Sequence, residues 1–338
     1  MIPFYSAASV SSADRAAIET LGLPSEVLME SAGRGAAEAL LKRYGKSAWT
    51  LLCGAGKNGG DGLVLARHLL VAGCEVTVVL ATEKEKVKDE NALFLRAFES
   101  LGGKIVESPK TDDDSLRRIA CSPSGIVDAL LGTGSEGQPR GECGRLLSLS
   151  TLGRMPRVAL DIPSGVDPST GETCPTAFRA DLTLTFLAPK IGLRVMPGAA
   201  CAGKVEIVTI GVTPGKVLPP GELEGYTRED AAKDWPFPAF DDNKGKKGTV
   251  LILGGCKQYR GAPLLAARAA LRAGAGLVVL VVPECIAETA SLTLPETVIA
   301  QASKDNPCVL DPEIAIQTLS EWRGKAGALV AGPGLGRS

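Results

Sequence analysis

Apolar residues recur along this chain in two alternating patterns. Short runs that are apolar or β-branched throughout are separated by stretches whose apolar residues return every three or four positions. The first helical stretch, "EVLMESAGRGAAEALLKRY", follows Ser25, read as its N-cap, and stops at Gly45. Strands are predicted at "AWTLLC", "EVTVVLA", "KIVE", "GIVDAL", "RVALDIP", "DLTLTFL" and "KVEIVTIG". Helices are predicted between them at "DGLVLARHLLVAG", "DENALFLRAFESLG", "DDSLRRIA" and "GRLLSLSTL". Strands without polar alternation are covered on both faces, so the pattern predicts α/β architecture: a Rossmann-like, doubly wound, mainly parallel sheet.

The Gly- and Pro-rich stretch "GVTPGKVLPPGELEG" has no periodicity and reads as an interdomain linker. The expected organisation is a first domain over 1–212, a linker over 213–225 and a second α/β domain over 226–338. That second pattern runs through "KKGTVLILGG", "GAPLLAARAALRAGAG" and "LVVLVVPE" to "GALVAGPGLGRS". It offers only three clear strands and ends on a glycine turn, so an incomplete domain is expected.

Composition narrows the function classes. Lys plus Arg (37) and Asp plus Glu (38) nearly cancel, and aromatics are 4%, which argues against a nucleic-acid or anionic-membrane surface. No apolar stretch reaches membrane-spanning length, and the N-terminus lacks the basic start and apolar run of a signal peptide. The nine cysteines form no C-x-x-C and read as buried reduced thiols. A soluble, cytoplasmic protein is expected.

In open α/β sheets ligands bind beyond the carboxyl ends of the strands. There "CGAGKNGGDG" contains G-x-G-x-x-G at Gly54, Gly56 and Gly59, whose amides at a helix start suit a phosphate. Asp61, directly after it, reads as an N-cap. Asp128 and Asp161 fall at strand ends; with Asn58 and Ser164 they form an oxygen-rich set that favours a hard cation over zinc. The single histidine, His68, has no nucleophile to pair with and reads as structural. An NAD-dependent oxidoreductase is a rival reading, but its ribose-binding acid would be Glu83, which comes late. A small-molecule kinase is another, but no P-loop occurs.

Taken together, "GAGKNGGDGLVLARHL", "VDALLGTGSEGQPRG" and "ALDIPSGVD" resemble the YjeF N-terminal family, the NAD(P)H-hydrate epimerases. The later segment, from "KKGTVLILGGCKQYRGAPLLAARAALRAGAGLV" to "GPGLG", is similar to the start of the ribokinase-like, ADP-dependent NAD(P)H-hydrate dehydratases. The resemblance implies a bifunctional metabolite-repair enzyme whose small-molecule substrate is NADH or NADPH hydrated at C6, with potassium at one site and ADP used by the dehydratase half. A homo-oligomer is compatible with it. It implies substrate contacts at Lys57, Asn58, Gly59, Gly60, Asp61, at Gly132, Thr133, Gly134, Ser135, Glu136, Gly137, Gln138, and at Asp161. Potassium ligands fall on Asn58, Asp128 and Ser164. Asp161 is the candidate catalytic acid and then base, and the glycine loop the holder of the diphosphate. Lys57 stands where the family usually has Asn. In the second segment Ala262 and Gly334 match substrate-contacting positions, but the family's Gly-Asp and histidine loops are missing after 226, so no dehydratase activity is expected. The YjeF N-terminal fold also serves as a non-catalytic scaffold in RNA decapping; Asn58, Asp128, Asp161 and Ser164 argue against that reading here.

Overall fold

The computed structural model describes residues 1–121, 124–135, 137–150, 155–235, 237 and 239–336. The chain opens with a short strand, β1 (Ile2–Phe4), and a helix, α1 (Ala7–Glu19), neither of which the sequence pattern announces. The Ser- and Ala-rich segment buries only Val10, Ala13 and Ala17, an apolar stripe too weak to read as a helical face. The long helix α2 (Ser25–Tyr44) follows. Its N-cap is Pro24 rather than Ser25, and its C-cap is Gly45 with φ 65°.

The predicted strands then form one sheet: β2 (Trp49–Cys53), β3 (Val76–Leu80), β4 (Lys104–Glu107), β5 (Gly125–Ala129), β6 (Arg157–Leu160), β7 (Leu182–Phe186) and β8 (Lys204–Val208). All neighbours are parallel, in the order β4-β3-β2-β5-β6-β7-β8. Connecting helices are α3 (Lys57–Val71), α4 (Asp89–Ser100), α5 (Asp113–Cys121), α6 (Gly141–Leu149) and the short α7 (Ala199–Ala202). Side chains alternate across the sheet: Leu51, Val78 and Val127 pack with Leu63, Leu69 and Phe98, whereas Leu52, Val79 and Ile126 pack with Leu116, Leu146 and Leu147. Two apolar layers, one on each face, make the sheet doubly wound as expected.

The strand order reverses between β2 and β5, so the loops leaving these two strands diverge and leave a crevice at their carboxyl ends. Gly54 is required there, because a Cβ on it would lie 1.9 Å from the Leu130 carbonyl oxygen. The glycine motif thus serves close packing of the two loops before it serves any ligand.

The stretch expected to be a linker is folded. It carries α8 (Pro214–Val217) and β9 (Leu223–Gly225), and β9 pairs antiparallel with β1, Ile2 opposite Gly225 and Phe4 opposite Leu223. Val212 and Leu218 join the main core. Proline and glycine abolish periodicity without preventing packing, so the first compact unit extends over Met1–Asp230. The second unit, Ala231–Ser338, begins within α9 (Arg228–Asp234). It contains β10 (Thr249–Leu253), α10 (Gly261–Arg272), β11 (Leu277–Val282), α11 (Glu284–Thr293), β12 (Val298–Gln301), α12 (Pro312–Glu321) and β13 (Ala328–Ala331). Its parallel sheet has the order β12-β11-β10-β13, one strand more than the apolar runs predict. β12, a short half-exposed "VIAQ", carries no apolar run to read. β13 lies at the edge, with all four residues exposed.

The thiols depart from expectation: Cys53, Cys74 and Cys201 are buried, but Cys121 is exposed and the others are intermediate. Among the described residues no helix is long and apolar enough to cross a membrane.

Candidate active site

Asp161 immediately follows β6 and adopts a left-handed backbone, φ 65°, that few residues other than glycine, Asn and Asp tolerate. Its amide still donates to the Leu184 carbonyl at 2.8 Å, so the chain turns without leaving the sheet. The turn sends the carboxylate into a buried pocket. There it accepts from the Thr133 amide at 3.0 Å, from the Thr133 hydroxyl and from the Lys190 ammonium. Lys190 is fully buried and also donates to Thr185 Oγ1 at 3.0 Å and to the Phe186 carbonyl at 2.9 Å. Burial by itself raises the Asp161 pKa, but the Lys190 charge, with the bonds from Lys190 and Thr133, outweighs it and holds the carboxyl below the usual carboxylate range. Asp161 is therefore an ionised group in a water-poor place.

A second network lies alongside. Asp128, buried at the end of β5, accepts from the Ser164 amide and hydroxyl, both at 2.8 Å, and from the Leu130 amide at 3.1 Å. Burial pushes its pKa up to about 6 against those bonds. Asn58 donates its amide hydrogens to the Leu131 and Leu160 carbonyls at 2.9 and 3.2 Å, which fixes the side chain. Its Oδ1 is buried with no partner among the described residues. An oriented, dehydrated oxygen beside a carboxylate and a hydroxyl fits a hard cation, since an unpaired buried acceptor is costly. The sequence grouping of Asn58, Asp128 and Ser164 is thus spatial as well: the Leu131 carbonyl joins Asn58 to Ser164, accepting from Ser164 Oγ at 3.4 Å, the Leu131 amide donates to that hydroxyl at 3.0 Å, and Ser164 in turn holds Asp128. Among the described residues no group of three or more His, Cys, Asp or Glu is placed to bind a metal.

The first glycine loop divides into buried and open parts. Gly59 and Gly60 are buried: a Cβ would meet the Gly54 carbonyl at 1.9 Å in one case and Asn91 Oδ1 at 2.1 Å in the other. Gly56 faces open space, and Lys57 beside it is exposed. Only this tip and the start of α3 are free to meet a phosphate. Asp61 is not a cap, because α3 begins at Lys57 with Gly56 as its N-cap, placing Asp61 inside the helix. Its carboxyl instead lies in the field of Asp161 and Asp14. Burial first, and then those two carboxylates, raise its pKa well above the ordinary value, with Lys57 and Lys190 opposing.

The second loop contributes unevenly. Thr133 is buried against Asp161, and Gly132 fits between Asn58 and Asp161, where a Cβ would lie 3.1 Å from Asn58 Cβ and 3.4 Å from Asp161 Oδ2. Gly134, Gly137 and Gln138 are exposed and Ser135 is intermediate; Glu136 lies outside the described residues. Gly132, Ser135, Gly137 and Gln138 line one wall of a cavity of about 210 Å³, with Ile162–Val166 on the other.

Two members of this site escape the sequence reading. Lys190 stands in "LAPKIG", a loop otherwise apolar; a lysine in such a run, at a strand's carboxyl end, was the available signal. Asp14 comes from α1 and carries no local signal; it faces Lys57, Asp161 and Lys190, and burial leads the raising of its pKa. Ala262 and Gly334 belong to the second unit, where they meet each other: a Cβ on Gly334 would be 3.0 Å from that of Ala262. His68 pairs with Glu30 Oε1 at 2.7 Å, away from these groups, as a structural role requires.

Residues 25–192 match the YjeF-related protein N-terminus family, and residues 250–338 match the NAD(P)H-hydrate dehydratase family. The chain is 40% identical to the bifunctional NAD(P)H-hydrate repair enzyme of Salinibacter ruber, over 99% of this chain and 65% of that protein. It therefore spans about two thirds of the length of the bifunctional relatives. It is 37% identical to the NAD(P)H-hydrate epimerase of Rhodopirellula baltica, over 59% of this chain and 80% of that protein. The crystal structure of yeast ynu0 shares the fold, with a TM-score of 0.51 and 20% identity over 63% of this chain and 95% of the yeast chain. With a conserved-length match to an epimerase and the same two segments as the bifunctional enzymes, this chain belongs to the YjeF-related family of NAD(P)H-hydrate repair proteins.

Proposed function

We propose that the first unit interconverts the R and S forms of NADH or NADPH hydrated at C6 of the nicotinamide ring. The observation that carries this reading is the buried Asp161–Lys190 pair beyond the carboxyl ends of β6 and β7, within the field of a second carboxyl, Asp61, of opposite pKa displacement. Two titratable groups driven apart in this way make an acid and a base. At C6 of the hydrate, a hydroxyl and the ring nitrogen share one carbon. Asp61, neutral, gives its proton to the hydroxyl, which leaves as water as the nitrogen lone pair forms a C=N⁺ bond. Water then returns from the other face, giving a proton to the Asp161 carboxylate, and proton exchange between the two carboxyls restores the start. Asp161 thus begins as base rather than acid, because Lys190 keeps it ionised. Gly56, Lys57 and the start of α3 hold the diphosphate, and Thr133 fixes the carboxylate that faces the ring.

Asn58, Asp128 and Ser164 would hold potassium, with the orphaned Asn58 oxygen as the supporting observation. When bound, the cation supplies a positive charge that ties the loops after β2, β5 and β6 together. For the second unit we propose a segment of an ADP-dependent dehydratase in which Ala262 and Gly334 touch the hydrate but which does not dehydrate it by itself. We place the protein in the cytoplasm, where reduced dinucleotides and free thiols such as these coexist.

The deciding experiment follows an R/S hydrate mixture prepared away from equilibrium by HPLC, with and without the protein. Faster equilibration without change in NADH absorbance supports the reading. Spontaneous-rate equilibration, or hydride transfer to a carbonyl substrate, overturns it. The rate should rise as Asp161 ionises, below the usual carboxylate range, and fall at higher pH as Asp61 loses its raised-pKa proton. A profile with no alkaline fall would remove Asp61 as acid. Asp128→Ala should abolish the rise in thermal midpoint that potassium, but not choline, gives the parent chain, and should lower the epimerisation rate. A parent indifferent to potassium would exclude the cation site.

A further inference from the structure

Lys190 does not hold its position alone. Its neighbours Pro189 and Ile191 are both hydrogen-bonded to the backbone of Tyr5: the Tyr5 amide donates to the Pro189 carbonyl at 3.1 Å, and the Ile191 amide donates to the Tyr5 carbonyl at 2.9 Å. Tyr5 is buried, so these bonds are shielded from water. The N-terminal segment is therefore an added parallel bridge against the loop that presents the ammonium to Asp161. Two residues later, the Ala7 amide donates to Ser169 Oγ at 3.0 Å, tying the start of α1 to the loop beyond Ser164.

The opposite side of the same segment is held from far along the chain. Pro3 and its neighbours pair with β9, and the Glu222 amide donates to the Phe4 carbonyl at 3.0 Å. Glu222 Oε1 accepts from the Ser6 amide at 3.1 Å, the Ser6 hydroxyl at 2.7 Å and the Ser9 hydroxyl at 2.6 Å. α1 has no acidic residue in its own first turn, so Glu222 brings the negative charge that a helix N-terminus favours. Residues before 25 and after 192 lie outside the match to the family's N-terminal domain, yet they converge on Lys190.

We propose that Glu222 is a positioning residue for the Asp161–Lys190 pair, acting through residues 1–9, which join β9 to the Lys190 loop. The proposal rests on the reading of Asp161 and Lys190 as the reaction centre. Loss of the Glu222 bonds frees Ser6 and Ser9, loosens the Tyr5 bridge and lets the Lys190 loop and the Asp14-bearing helix shift against Asp161. Binding of the dinucleotide, which depends on the α3 tip and the loop after β5, is untouched.

The test uses the full chain with Glu222→Ala, Glu222→Gln and Glu222→Asp, measuring hydrate epimerisation and amide hydrogen exchange. In Glu222→Ala the Tyr5 and Ile191 amides should exchange about tenfold faster, while Val158 and Leu184 in the central sheet stay at parent rates. The same variant should lose kcat by about threefold to tenfold with KM unchanged, because a small displacement of a reacting group acts on the chemical step. Glu222→Asp should recover most of the rate. Glu222→Gln, of the same shape, keeps an acceptor for Ser6 and Ser9 but loses the charge, so it should fall between the alanine variant and the parent in both measurements and serves in its place should the alanine variant not fold. Parent-like exchange at Ile191 in folded Glu222→Ala, or in Glu222→Gln should the alanine variant not fold, or a change in KM alone, overturns the proposal. If the parent does not interconvert the hydrates, the epimerase reading fails, and exchange at Ile191 still decides the coupling.

Discussion

Asp161→Asn should reduce hydrate epimerisation by about a thousandfold, in the range of a lost general base, while leaving the chain folded. The amide is nearly the same shape and can still accept from Thr133, whose amide now donates at 3.0 Å. What it cannot do is take a proton from the returning water or balance Lys190. Calorimetric binding of NADPH, an unreactive relative of the substrate, separates the two roles. Affinity within a few-fold of the parent, with the rate lost, assigns Asp161 to the chemistry. A variant retaining a tenth or more of the parent rate would move the base elsewhere.

Lys190→Met has the second large effect, and it falls on stability as well as rate. The side chain is fully buried, and its partner carboxylate is almost so. Removing one member of a buried pair leaves an uncompensated charge, at a cost of about 3–5 kcal/mol. Asp161 then loses the interaction that depresses its pKa, so burial raises it and the group protonates. The linkage has a definite sign. In the parent, the depressed Asp161 pKa contributes stability that is present above the unfolded-state carboxylate pKa and is lost as pH falls through the lower folded value. In Lys190→Met the dependence reverses, and the variant becomes more stable on acidification over the carboxylate range. Adding Asp161→Asn to Lys190→Met should restore much of the unfolding free energy and none of the activity. Denaturant unfolding of the four chains checks this, and a double variant whose loss in unfolding free energy equals the sum of the two single losses would show that the pair is not coupled.

In the second compact unit β13 is an edge strand with Leu329 and Val330 half-open to solvent. Unpaired edges of this kind exchange and associate readily. Hydrogen exchange should therefore be faster in β13 than in β5 or β6, whose residues are almost all buried.

The sequence by itself determined the sheet, its parallel pairing and the loops that carry chemistry. Apolar runs such as "GIVDAL" and "RVALDIP" fix both the strands and the aspartates at their ends, because a buried parallel strand and the polar loop beyond it are local facts of composition. The neighbourhood of Asn58, Asp128 and Ser164 followed from the strand-end rule alone. Tertiary structure decided how those groups are charged. Asp161 is ionised because Lys190, from the next strand's loop, is buried against it, and the Asp61 pKa is raised because the group is buried with Asp161 and Asp14 in its field. Neither relation has a sequence period to announce it. The same holds for the stretch 213–225, where proline and glycine hid a strand and a helix, and for Glu222, whose serine partners lie at the other end of the unit. Periodicity reports which face of an element is buried, and charge pairing across long loops is set only when the faces meet.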